Sequence, residues 1–305
     1  MDRLISSPPN PFLTLRSRYL VLGTFLVASL LMGIVYSLLA EWRVLPSAGS
    51  DPILTPISTI SILTIMVVVI LWVGQLQGLK INRLFGRRAP RFSIFYAVLL
   101  VASLLLFSLG IPAIIFYFLS LFSPGYVAQL LEISVTLSGT DSMYPQLYER
   151  LMLFLLLIYA PVVEELIFRG ILLQRWSTKW GLRWGLIASS VLFGLLHPDN
   201  PPGLMLFGLV MGLLYVRTGS LWVPIACHSL NNLAAVGIDR LHQMTSGGQV
   251  PTVGDIQQLW WISLILVGVS LPLLVRFIWQ SWPPASAPIP YLAGSERASQ
   301  RVNRC

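Results

Sequence analysis

The chain has 305 residues, 55% of them hydrophobic and only 10% charged, with a net charge of +8. A soluble domain carries about 25% charged residues, so this composition excludes an ordinary soluble enzyme and indicates an integral membrane protein. The positive balance does not mark a nucleic-acid binder: the basic residues are scattered through short loops between apolar runs, as orientation signals are.

Residues 1–18 form a polar, proline-containing lead with Arg3, Arg16 and Arg18. Tyr19 to Ala40 is a run of 22 uncharged residues, longer than the apolar core of a cleavable signal and followed by no convincing small-residue cleavage site, so it reads as the first span. A second span is expected over 55–76, followed by Lys80, Arg83, Arg87, Arg88 and Arg91. A third covers 93–120 and ends at Ser123-Pro124-Gly125, beyond which 124–149 reads as a long connecting loop with Glu132, Asp141 and Glu149. Spans four to seven are expected over 151–173, 184–197, 204–218 and 221–238, with a basic turn at 174–183 and a hinge at Pro198-Asp-Asn-Pro-Pro-Gly203. A polar loop leads to span eight at 259–279, and a Pro-, Ser- and Arg-rich tail follows, of the composition that stays disordered.

The expected fold is therefore all-α, a polytopic transmembrane bundle of about eight spans. Its expected division is a cytoplasmic lead (1–18), spans one to three with an external loop (19–149), a core of spans four to seven (150–240), a loop with span eight (241–280) and a cytoplasmic tail (281–305). Most basic residues fall in alternate loops, which puts both termini in the cytoplasm, in a cell inner membrane or an internal one. Gly181/Gly185 and Gly208/Gly212 have the spacing that lets helices approach closely. Cys227 lies in an apolar run and Cys305 is the last residue, so no disulfide framework is expected.

The fourth span carries Ala160-Pro-Val-Val-Glu-Glu-Leu-Ile-Phe-Arg-Gly170, with three ionisable residues within six positions. Each costs roughly 2.5–3.5 kcal/mol at mid-bilayer on insertion scales, so each must face a cavity or a partner. Glu165 and Arg169 are spaced i,i+4 and can form an ion pair. Glu164 is turned by about 100° from Glu165, which leaves it without that partner and makes it the candidate for chemistry. A salt bridge tying this helix to its neighbours would account for the same residues without catalysis.

Two further polar signals stand on other spans. Phe193-Gly-Leu-Leu-His197 ends an apolar helix in a histidine, and His228-Ser-Leu-Asn-Asn232 places His228 and Asn232 on one helical face. By helical rise Glu164 and His228 each lie about 10 Å from the cytoplasmic surface, whereas His197 lies about 20 Å deep, a mismatch unless its span tilts. A lone membrane histidine is more often a packed residue than a catalyst. His242 reads as solvated, and Asp199 as a turn residue rather than an orienter of His197.

These three segments resemble the CAAX-protease and bacteriocin-processing (abortive-infection) family of intramembrane glutamic endopeptidases, whose motifs are Glu-Glu-x-x-x-Arg, Phe-x-x-x-His and His-x-x-x-Asn/Asp. All three occur here in order over 160–235. The resemblance implies a four-helix core around a water-filled cavity and hydrolysis of a peptide bond near the C-terminus of a membrane-associated or lipidated protein. It implies that Glu164 and His197 activate water and that His228 and Asn232 stabilise the oxyanion, with Phe193 and Asn231 behind them and no cofactor. The neighbouring Asn231 leaves a one-residue ambiguity, which the spacing resolves toward Asn232. Three alternatives stand beside it: zinc held by Glu164, His197 and His228, although no His-Glu-x-x-His is present; a non-catalytic scaffold or immunity protein; and a small transporter.

Overall fold

The computed structural model describes residues 10–41, 51–86, 93–133, 142–247, 249 and 251–293. Among the described residues the regular structure is helical, without a strand: α1 (Ser17–Glu41), α2 (Leu54–Leu76), α3 (Ile81–Phe85), α4 (Ile94–Ser120), α5 (Pro124–Ile133), α6 (Pro145–Trp180), α7 (Leu182–Leu195), α8 (Pro201–Thr218), α9 (Trp222–Ser246) and α10 (Val253–Ser281). Among the described residues six of these helices (α1, α2, α4, α6, α8 and α10) are long and apolar enough to cross a membrane. The other two expected spans are α7, apolar but of only 14 residues, and α9, long but more polar. Leu22, Leu26 and Leu30 of α1 and Val269 and Val275 of α10 are exposed, as side chains that meet lipid rather than water are. The protein is a multi-pass membrane protein built as a helical bundle.

The core sits around α6. Its 36 residues make a rod of about 54 Å at 1.5 Å per residue, against a hydrocarbon thickness of about 30 Å. Every residue from Leu166 to Leu173 is buried, the mark of a helix enclosed on all sides. Leu186 and Phe193 of α7, Phe207, Val210, Met211 and Leu214 of α8, and Leu221 with Ile225 around the start of α9 close over it.

Three expectations are corrected. The connection expected to be a loop over 124–149 holds α5 and the first turns of α6, with Pro124 and Pro145 in first-turn positions where their missing N–H costs nothing; residues 134–141 lie outside the described residues. The helix of span seven runs on past 238 to Ser246, because polar side chains extend it: Arg240 pairs with Glu149 and Gln243 donates to Asp239. The tail expected to be disordered is folded as far as residue 293. Its Ile289 and Tyr291 are buried; the Tyr291 ring packs edge-on to Phe12 at 5.3 Å, and its hydroxyl accepts from the backbone N–H of Lys80 at 3.0 Å. Apolar anchors at two positions outweigh the polar composition around them. Cys305 and the rest of the tail lie outside the described residues.

Of the paired glycines, Gly208 and Gly212 face α7, where a Cβ on Gly208 would come within 3.1 Å of the Ser190 Cα. Gly181 makes a turn instead: its φ of +85° joins α6 to α7, a conformation an L side chain rarely adopts.

Candidate active site

The motif helix is not regular. Within α6, Leu155–Tyr159 and Leu166–Leu173 are π-helical and flank the α-helical Ala160–Glu165. π segments inside α-helices are frequent at functional sites. The acidic pair thus sits on a short α-helical island between two wider turns, with Pro161 at its start.

Glu165 is fully buried, and its Oε1 lies 2.9 Å from Arg169 Nη1. The other arm of Arg169, Nη2, donates to the Gly208 carbonyl at 3.0 Å, which ties α6 to α8. The same Glu165 Oε1 lies 3.0 Å from His228 Nδ1. A carboxylate can only accept, so Nδ1 carries the proton and Nε2 is left to face the other way. What Nε2 meets is Glu164, whose Oε2 is 3.9 Å away. That gap is too long for a direct hydrogen bond. Among the described residues no hydrogen bond closes on the Glu164 carboxylate, and its side chain keeps 23% of its surface exposed where that of Glu165 keeps 0%.

Phe193 is the hub that brings the histidines together. Its ring centroid lies 4.6 Å from His197, 6.1 Å from His228, 5.0 Å from Phe168 and 5.8 Å from Phe207, with the Arg169 guanidinium 4.8 Å over its face. His197 lies two residues beyond the end of α7 at Leu195, and both histidines flank the Phe193 ring. His197 Nδ1 lies 2.7 Å from the Phe193 carbonyl, which leaves its Nε2 free. No hydrogen bond or ion pair joins His197 to Glu164 among the described residues. Nor does Asp199 reach His197; the neighbouring Asn200 does the local work, accepting from Gly203 N–H at 3.1 Å and donating to the Ser108 carbonyl at 2.8 Å.

Asn232 projects from the same face of α9 as His228, and its Nδ2 donates to the Leu156 carbonyl at 2.9 Å. Asn231 Nδ2 donates in turn to Asn232 Oδ1 at 3.4 Å, so the second asparagine stands behind the first. His242 is exposed, with Nε2 3.3 Å from the Gln249 carbonyl. Among the described residues no three His, Cys, Asp or Glu side chains gather closely enough to hold a metal ion, so Glu164, His197 and His228 do not form a ready ligand set. Two surface cavities, of about 550 Å³ beside Gln75, Lys80 and Arg83 and about 400 Å³ beside Trp180 and Trp184, lie away from Glu164.

Sequence reasoning missed Phe207, whose ring stands 4.9 Å from His228, and the Gly208 carbonyl. Neither has a chemical signature of its own. It also missed what Pro161 does to the backbone, although a proline beside two glutamates inside a span was a visible signal.

Residues 146–234 match the family model described as type II CAAX prenyl endopeptidase Rce1-like. The protein named "Putative membrane peptidase YdiL" from Bacillus subtilis (strain 168) is 33% identical over 132 residues, covering 41% of this chain and 54% of that protein. The chain thus spans about half the length of this curated relative. No solved structure matches the chain. The matched segment contains the Glu-Glu-x-x-x-Arg, Phe-x-x-x-His and His-x-x-x-Asn motifs together, and over residues 146–234 the chain is similar to the type II CAAX prenyl endopeptidase Rce1-like family.

Proposed function

We propose that the protein is an intramembrane endopeptidase that hydrolyses a peptide bond of a membrane-associated or lipidated protein, near that substrate's C-terminus. The observation that carries this reading is the state of Glu164: a partly exposed carboxylate that no hydrogen bond holds, 3.9 Å from the free nitrogen of a histidine that is itself fixed. A structural salt bridge needs no such idle acid.

In the proposed reaction Glu164 takes a proton from water as the oxygen adds to the scissile carbonyl, with the free Nε2 of His197 as the second group serving that water. His228 Nε2, in its protonated form, donates to the oxyanion that develops. Glu164 then passes the proton to the leaving nitrogen as the C–N bond breaks, giving a new carboxylate and a new amine. Glu165, itself held by Arg169, fixes the orientation of the His228 ring through Nδ1, as an acid does behind a catalytic imidazole. The reaction has no step through a metal or other cofactor. The positions of the basic loops support both termini on the cytoplasmic side.

The test uses the purified full-length chain in lipid nanodiscs, incubated with solubilised membrane proteins in ¹⁸O-labelled water. New C-termini that carry one ¹⁸O, persist in strong chelators and are absent with Glu164→Gln support the reading. Chelator-sensitive cleavage restored by zinc would replace it with the metalloprotease alternative, and no labelled termini at all would leave the scaffold reading.

A further inference from the structure

The carbonyl that Asn232 holds is one that the backbone of α6 has abandoned. In the π-helical segment Leu155–Tyr159 the Ala160 N–H donates five residues back, to the Leu155 carbonyl. In that register the Leu156 carbonyl would receive from residue 161, and residue 161 is proline, which has no N–H. The α-helical donor for Leu156 would be Ala160, already committed to Leu155. Leu156 is therefore left without a backbone partner inside the bundle, where an unsatisfied carbonyl is strongly unfavourable. Asn232 Nδ2 fills that place at 2.9 Å, and Asn231 holds the far side of the same amide.

We infer that Asn232 is a positioning residue: one of the two N–H groups of its Nδ2 supplies from α9 the hydrogen bond that Pro161 removes from α6. This locks the wide turn just upstream of Glu164 and, through the four-residue spacing to His228, fixes the acid and the imidazole to each other. The geometry accounts for a proline at that place in the motif helix and for an asparagine at the fourth position after the histidine. The clamp itself is independent of any activity; in its consequence for catalysis it rests on the hydrolytic reading above.

The experiment is a double-mutant cycle on the full-length chain, with Pro161→Ala, Asn232→Ala and the pair. Alanine at 161 returns a backbone N–H, so either helical register now gives Leu156 a partner. Thermal unfolding in nanodiscs is expected to show Asn232→Ala lowering the apparent Tm by about 3–6 °C in the native background and by less than half of that in the Pro161→Ala background. Hydrolysis, followed as release of labelled C-termini, is expected to fall with Asn232→Ala in both backgrounds, and at least about threefold further in the native background than on Pro161→Ala. Equal Tm decrements in both backgrounds would overturn the clamp whatever the activity. Coupled Tm values with an equal loss of hydrolysis in both backgrounds would overturn the positioning role and leave the clamp a purely structural contact. Should Asn232→Ala fail to accumulate, the double variant is expected to accumulate, and its failure would likewise overturn the inference.

Discussion

His228 Nδ1 lies 3.0 Å from Glu165 Oε1, the same oxygen that Arg169 approaches at 2.9 Å. One buried carboxylate thus balances a guanidinium on its own helix and orients an imidazole on another. Neutralising it leaves Arg169, itself 1% exposed, as an uncompensated buried charge, at a cost of about 3–5 kcal/mol. Glu165→Gln is expected to lower stability by that order and abolish hydrolysis together. Chemical unfolding in detergent checks the first and product release the second; a Glu165→Gln protein of native stability would show that the pair carries no weight.

Arg169 makes two different contacts from two arms, to Glu165 Oε1 and to the Gly208 carbonyl. A lysine is a single point charge and can serve only one of them at a time. Arg169→Lys is expected to keep the charge balance yet loosen α8 from α6, with a stability loss of about 1–3 kcal/mol from the unpaired carbonyl. Wild-type resistance to limited proteolysis in Arg169→Lys would contradict this.

Phe193 is fully buried and touches both site histidines. Phe193→Ala should cost about 3–5 kcal/mol and release both rings, whereas Phe193→Leu keeps most of the volume and should be milder in stability than in activity. The comparison of the two variants by thermal unfolding and by product release separates packing from positioning.

Legibility differed between the site and its scaffold. Glu164, Glu165, Arg169, His197 and His228 could be read from the chain because polar side chains within apolar helices have few reasons to be there. Pro161, Leu156 and the clamp through Asn232 could not, since a 3.6-residue period assumes the regular helix that the π turns interrupt. The folded segment around Tyr291 was hidden for another reason: composition averages over a stretch, while two anchored side chains suffice to order it.

Outside the spans, Asp51 accepts from the Ile53 N–H, the Ser142 hydroxyl and the Met143 N–H, which holds its carboxyl below the ordinary carboxylate range. A carboxyl with a depressed folded pKa stabilises above its unfolded pKa of about 3.9, and this contribution fades as pH falls through the folded value. Asp51→Asn is therefore expected to unfold at a lower temperature than wild type at neutral pH, with the difference shrinking on acidification below about pH 4. A difference that stays constant from pH 7 to pH 3 would contradict the clasp.

The account turns on the division of labour between adjacent acids, and one comparison reaches it most directly. Peptides released from the membrane fraction should be profiled in cells carrying the native chain and in cells carrying Glu164→Gln, with unfolding of both purified proteins measured alongside. The account predicts a set of C-terminal peptides that vanishes with Glu164→Gln, a loss of at least about 100-fold for a removed general base, while stability stays within about 0.5 kcal/mol. An unchanged peptide profile from an equally stable Glu164→Gln protein would contradict it.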